Sequence, residues 1–111
     1  MRFGKGARLR RRSEFLAVQE RGRKLHAGAY VVIALDSELG HPRLGLTVST
    51  RVGNAVVRNQ VKRWVREAWR ARSAELASMD VVVIARSSAP GAGLAGARLA
   101  VAALAAAGAR P

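Results

Sequence analysis

The chain has 111 residues, and its 20 Lys and Arg against 7 Asp and Glu give a formal net charge of +13. A chain of this length supplies one modest hydrophobic core, so we expect a single domain spanning residues 1–111. Half of the residues are apolar, which excludes a wholly disordered basic tail. The lack of cysteine excludes disulfides and thiolate metal sites and suits a reducing cytoplasm. Without a long uncharged apolar run or an apolar N-terminal stretch, we expect neither a membrane span nor a signal peptide.

The basic residues are concentrated in two segments. Residues 1–24 contain nine basic and two acidic residues, and residues 51–72 contain seven and one, so the two segments hold 16 of the 20 cations. Each phosphate that a cation neutralises releases counterions and adds affinity, so concentrated charge favours a nucleic acid partner. The alternative is a basic protein without a specific ligand.

The first half of the chain predicts a short helix and two strands. Ser13 is suited to cap a helix running to Glu20, and Gly22 is placed to end it. Residues 29–35 form a β-branched and aromatic run typical of a strand, and a turn follows. Residues 44–49 alternate between large apolar and small or polar side chains, which predicts a strand with one core face and one open face. We expect these two strands to pair as a hairpin.

The main helix is predicted from Asn54, its N-cap, to about Arg72. At about 100° per residue, polar and cationic residues occupy one arc of about 140°, formed by Arg58, Asn59, Lys62, Arg63, Arg66 and Arg70. The apolar residues between them form the packing face.

Two further elements complete the chain. Residues 80–85 form a continuous apolar run, typical of a strand buried on both faces, which makes a β-α-β unit with the strand and helix before it. The Ala-rich residues 94–108 predict a closing helix that packs on the core.

No catalytic or metal-binding constellation is recognisable. His26 and His41 lack partners at the spacings that nucleophilic catalysis or metal binding requires, and we interpret both as surface or strand residues. If the chain belongs to an enzyme, another component must perform the chemistry. Phe15 and Tyr30 have two possible roles, core packing or stacking on unpaired bases, and periodicity does not decide between them.

Residues 49–67 resemble the signature of the bacterial ribonuclease P protein subunit. That signature is a cationic residue, Gly-Asn-Ala-Val, and then Arg-Asn-x-x-Lys-Arg-x-x-Arg-Glu on a helix, and residues 8–15, 44–49 and 80–86 are also similar to the family. The resemblance implies a cytoplasmic protein that binds the catalytic RNA of ribonuclease P and precursor tRNA. The RNA, with magnesium, would remove the 5′ leader, and the protein would contribute no catalytic residue, metal site or cofactor of its own.

The resemblance also implies which residues contact RNA. Its motif assigns RNA binding to Arg51, Asn54, Arg58, Asn59, Lys62, Arg63 and Arg66, and the helical arc adds Arg70. The leader would lie in a cleft between the first helix and the open sheet face, contacting Phe15, Tyr30, Arg58, Asn59 and Lys62. Further basic contacts are expected from Arg8, Arg10, Arg11 and Arg12. Three positions depart from the usual family pattern, namely Gln19, Ile33 and Gln60.

The fold implied by the resemblance is an α/β (α+β) two-layer sandwich with the element order α-β-β-(β)-α-β-α, like a domain found in a ribosomal protein. Its β-α-β crossover is left-handed, against the usual rule. A ribosomal or other structured-RNA-binding protein is the alternative function. A standalone nuclease is disfavoured because carboxylates do not cluster, and a helix-turn-helix protein because the basic helix lies between strands. We expect neither a DNA nor a membrane partner.

Overall fold

The computed structural model describes residues 8–108, which form three α-helices and four β-strands in the order α-β-β-β-α-β-α. The helices are α1 (Arg12–Arg21), α2 (Ala55–Arg72) and α3 (Ala89–Gly108). The strands are β1 (Arg23–Ala27), β2 (Tyr30–Asp36), β3 (Arg43–Thr47) and β4 (Met79–Ala85). The predicted fold class is confirmed, and the optional third strand is β1. The start of the chain, with the basic residues Arg2 and Lys5, lies outside the described residues.

The strands form one mixed sheet in the order β1-β2-β4-β3. β2 is antiparallel to β1 and β4, whereas β3 is parallel to β4. The predicted hairpin between strands 29–35 and 44–49 is therefore wrong, because β4 lies between them. The apolar residues of β4 suit this central position, where both faces of the strand are covered. β3, α2 and β4 form the predicted β-α-β unit, whose hand stays a prediction.

The connection from β2 to β3 crosses the beginning of β4. The backbone N–H of Ser37 donates to the carbonyl oxygen of Ser78 at 3.2 Å, and the two Ser hydroxyls lie 3.0 Å apart. The backbone N–H of Gly40 donates to the hydroxyl of Ser78 at 3.0 Å. These bonds hold the connection against the start of β4, whereas the sequence predicted a loop that joins two paired strands.

α1 begins at a different cap from the one predicted. Arg11, and not Ser13, is the N-cap residue. The Glu14 carboxylate accepts hydrogen bonds from the backbone N–H groups of Arg10 and Arg11, each at 2.9 Å. A carboxylate in the first turn interacts favourably with the helix dipole, and here it also binds the amides of the two residues that precede α1. α1 ends at Gly22, as predicted.

Hydrophobic clusters lie on both faces of the sheet. The larger cluster packs α2 and α3 against one face, and the fully buried side chains of Val61, Val65 and Trp69 confirm the predicted packing face of α2. The smaller cluster packs α1 against the other face around Val18 and Ile33. The sheet is thus covered by two long helices on one side and partly by a short helix on the other.

α3 starts earlier than predicted and is interrupted at Gly93, whose φ of 63° and ψ of −165° are tolerated by glycine. Residues 89–107 are long and apolar enough to cross a membrane by length and composition alone, and 33% of this window is buried inside the protein. Val101 and Leu104 belong to the core, and Arg98 in mid-helix lies 3.8 Å from Glu67 of α2. These contacts pack one side of α3 on the core.

Candidate nucleic-acid interface

The cationic arc of α2 points away from the core. The Asn54 side chain caps the helix, as predicted, by accepting a hydrogen bond from the backbone N–H of Val57 at 3.0 Å. None of the ion pairs found among residues 8–108 includes Lys62, Arg63 or Arg66. The charges of these three side chains are therefore available to an external anion. The remaining arc residues are half-buried or exposed, namely Arg58, Asn59 and Arg70.

The turn before α2 brings further polar residues to the start of this arc. Arg51 is exposed, and its backbone N–H donates to the hydroxyl of Ser49 at 3.3 Å. Arg58 donates from Nε to the carbonyl oxygen of Gly53 at 3.1 Å, which fixes its guanidinium beside the turn. A Cβ at Gly53 would lie 2.8 Å from Cγ1 of Val57, so glycine permits this tight entry into the helix. The motif residues thus extend from this turn along the arc of α2.

A cavity of about 170 Å³ separates α1 from α2 and β3. It is lined by Arg8, Leu9, Phe15, Leu44, Gly45, Leu46, Lys62 and Arg66. The Phe15 ring lies directly on Gly45, where an added Cβ would be 2.6 Å from its Cε2 atom. Gly45 is buried, so the predicted open sheet face is partly covered by this ring. The cavity joins an N-terminal cation, a half-buried aromatic ring and two cations of α2.

A second depression of about 290 Å³ lies on the other side of Phe15. It is lined by Arg12, Phe15, Leu16, Gln19 and Thr47. Phe15 therefore contributes to both depressions, which we name together the α1 cleft. Arg8 and Arg12 reach the α1 cleft, whereas Arg10 and Arg11 are exposed and line neither depression.

The prediction that Tyr30 contacts the leader is wrong. Tyr30 is completely buried in the larger cluster, on the sheet face opposite Phe15. The alternation along β2 explains this, because it turns Tyr30 and Val32 towards α2 and α3 and turns Ile33 towards α1. Burial raises the pKa of the Tyr30 phenol by desolvation. Two of the three departures from the family pattern lie on the α1 side of the sheet, where Ile33 is buried under α1 and Gln19 is exposed in the α1 cleft.

An ion-pair cluster that the sequence did not reveal lies behind the α1 cleft. Arg43 donates from Nε and Nη2 to the two carboxylate oxygens of Asp80 at 2.9 and 2.8 Å, and from Nη1 to Glu14 at 2.9 Å. Backbone hydrogen bonds from Arg11 and Arg10, and then Arg43, lower the pKa of Glu14 to about 2. Hydrogen bonding to Asp80 raises the pKa of Arg43. The signal in the sequence was an isolated cation in an otherwise uncharged strand.

The described residues contain no group of three or more His, Asp or Glu side chains able to hold a metal ion. His26 is an exposed β1 residue, in line with its interpretation as a surface or strand residue, and its Nδ1 lies 2.6 Å from Nη2 of Arg86. The chemistry that this surface offers is cationic and aromatic recognition.

Comparisons with known proteins identify the family to which the chain is similar. A family model described as Ribonuclease P matches residues 3–106. The ribonuclease P protein component of Exiguobacterium sibiricum is 50% identical over 84 residues, which cover 74% of this chain and 72% of the relative. The protein component of Citrifermentans bemidjiense is 42% identical over 87 residues, covering 78% and 75%. The solved structure of the Staphylococcus aureus RNase P protein is similar with a TM-score of 0.84 at 30% identity, covering 93% of this chain and 96% of that chain.

Proposed function

The chain belongs to the ribonuclease P protein family, and from that membership we propose that it binds the catalytic RNA and the single-stranded 5′ leader of precursor tRNA. Membership implies a component of the ribonucleoprotein endonuclease that processes tRNA. In our proposal the RNA, with magnesium, hydrolyses the phosphodiester bond in the cytoplasm. The protein supplies binding surface and charge, and no catalytic side chain or cofactor of its own.

The observation that carries this proposal is the α1 cleft, where the Phe15 ring lies in one depression with Lys62 and Arg66. An aromatic face stacks on bases of any sequence, and neighbouring cations bind the phosphates that link them. This combination suits a single strand whose sequence varies from one precursor to the next. We assign the phosphates of the catalytic RNA to the outer part of the α2 arc, where Arg63 and Arg70 are exposed.

Charge explains how such a protein assists cleavage. The catalytic RNA and the leader are both polyanions, and they repel each other where they meet. A chain with a net charge of +13 placed between them reduces that repulsion, as added salt or magnesium would do. We therefore expect the contribution of the protein to be largest at low magnesium concentration.

The test is reconstitution of the full chain with ribonuclease P RNA and a precursor tRNA at low magnesium. We expect the protein to increase the rate of leader removal, and no increase would refute the proposal. Protein without RNA serves as a control, since cleavage there would indicate a standalone nuclease. Preferential binding of ribosomal RNA over ribonuclease P RNA would favour the alternative of a ribosomal or other structured-RNA-binding protein.

A further inference from the structure

We propose that Glu14, Arg43 and Asp80 form a clamp that positions Phe15 for leader binding, which makes all three positioning residues of the α1 cleft. This inference rests on the proposed function. None of the three was predicted as a functional residue, because Glu14 and Asp80 are acidic and Arg43 lies outside both basic segments.

The clamp joins three separate elements of the fold. Glu14 lies in the first turn of α1, Arg43 begins β3, and Asp80 lies in β4. Three nitrogen atoms of one guanidinium are used, all at 2.8–2.9 Å from carboxylate oxygens. The guanidinium is planar and its donors are fixed relative to one another, so it sets the relative orientation of both acids. The side chains of Arg43, Glu14 and Asp80 are only 19%, 24% and 14% exposed, so these contacts are largely shielded from water.

Each end of the clamp lies next to a residue of the α1 cleft. Glu14 directly precedes Phe15, and Arg43 precedes Gly45 by two residues, on the same face of β3. The Phe15 ring rests on Gly45 so closely that an added Cβ would be 2.6 Å from the ring. A rotation or shift of α1 would therefore move the ring relative to β3 and change the width of both depressions.

Glu14 performs two tasks with its two oxygen atoms. Oε1 accepts from the backbone N–H groups of Arg10 and Arg11, which directly precede α1, and Oε2 accepts from Arg43. The pKa of Glu14 is lowered to about 2, so both contacts involve a carboxylate at neutral pH. The position of α1 on the sheet is thus tied to a residue in the first turn of the helix, immediately before Phe15.

The experiment separates positioning from simple stabilisation by comparing Glu14→Gln and Arg43→Lys with Asp36→Asn. Glutamine keeps an oxygen for the backbone amides but loses the ion pair. Lysine keeps the charge but loses the planar guanidinium that contacts both acids. Asp36→Asn is the matched control, because it also removes one negative charge from an ion pair, the exposed Arg23–Asp36 contact at 3.6 Å. The holoenzyme affinity is measured for precursor tRNA with a full leader and for mature tRNA, and thermal unfolding is recorded for every variant.

The quantity that reports positioning is the affinity for precursor tRNA divided by the affinity for mature tRNA, because only the precursor carries the leader. We expect both clamp variants to reduce this ratio by about fivefold, the lower end of what loss of one base stack costs, and Asp36→Asn to leave it unchanged. A structural role alone would lower the unfolding temperature without changing the ratio, and that result would overturn the clamp proposal. Equal losses of affinity for both tRNAs would overturn it as well. A wild-type ratio of one would instead refute leader binding by this protein, and with it the proposed function.

Discussion

Lys62 gives the most direct test of the cationic arc. It lines the α1 cleft with Arg66, and no ion pair among residues 8–108 uses it. If Lys62 neutralises one phosphate, Lys62→Ala should reduce the slope of log affinity against log salt by about 0.7 for a single strand or about 0.9 for a duplex. Over a fourfold rise in salt, the wild-type chain should then lose about 2.6 to 3.5 times more affinity than the variant. Adding Arg66→Ala should double the change in slope.

The assay is equilibrium binding of the full chain to a single-stranded leader RNA and, separately, to ribonuclease P RNA, each at four or more salt concentrations. Lys24→Ala is the matched control, since it removes the same charge from an exposed side chain on β1, at the opposite edge of the sheet from β3. We expect the slope for this control to equal that of the wild type. An unchanged slope for Lys62→Ala, or equal changes for both variants, would refute the assignment of phosphate binding to the arc.

Three further predictions follow from the core and from the helix cap. Tyr30→Phe should leave leader-dependent affinity unchanged and raise the unfolding temperature, because the buried hydroxyl has no hydrogen-bond partner among the described residues; reduced leader affinity would return Tyr30 to the binding surface. Trp69→Ala should lower the free energy of unfolding by about 3–5 kcal/mol in urea titrations, as expected for a fully buried aromatic side chain. The pKa of Glu14 is depressed from 4.5 to about 2, so Glu14 contributes stability that is present above pH 4.5 and is lost as the pH falls towards 2. Unfolding measured across this range should show a weaker pH dependence for Glu14→Gln, and identical profiles would contradict this origin.

The α2 surface was accessible to prediction from sequence because it depends on local spacing. Once the helix from Asn54 is recognised, its period of about 3.6 residues separates the cations from the packing face that contains Val61 and Trp69. The identities of β2, β3 and β4 were also recognisable from runs of β-branched and apolar residues. No long-range information is needed for either conclusion.

Predicting the strand order and the location of Tyr30 requires information that the local sequence does not contain. The local sequence is compatible with a hairpin between β2 and β3. In the structure, β4 pairs with both strands and separates them. Alternation along β2 separates its side chains into two sets, but it does not say which set faces α1. For Tyr30 the choice decides between the core and the α1 cleft.

The clamp was missed for a similar reason. The two acids that contact Arg43 lie 29 and 37 residues away in the sequence, on either side of it. Their proximity arises only when α1 and β4 have both packed near β3. An isolated cation in a neutral strand indicates that partners exist, but not which ones.

The central position of β4 also limits which strand pairings can form while the chain is being synthesised. Tyr30 of β2 pairs with Ala85 of β4, and Leu44 of β3 pairs with Val81 of β4. Neither pairing can form before the last strand has been synthesised. Until then, β1 and β2 are the strands among residues 8–108 that already have each other as a partner, and an isolated hairpin is at best marginally stable in water. The nascent chain therefore carries most of its basic residues before it has the sheet that arranges them. Contacts this distant in sequence favour slow and cooperative folding, in which the α1 cleft appears only when the whole domain does.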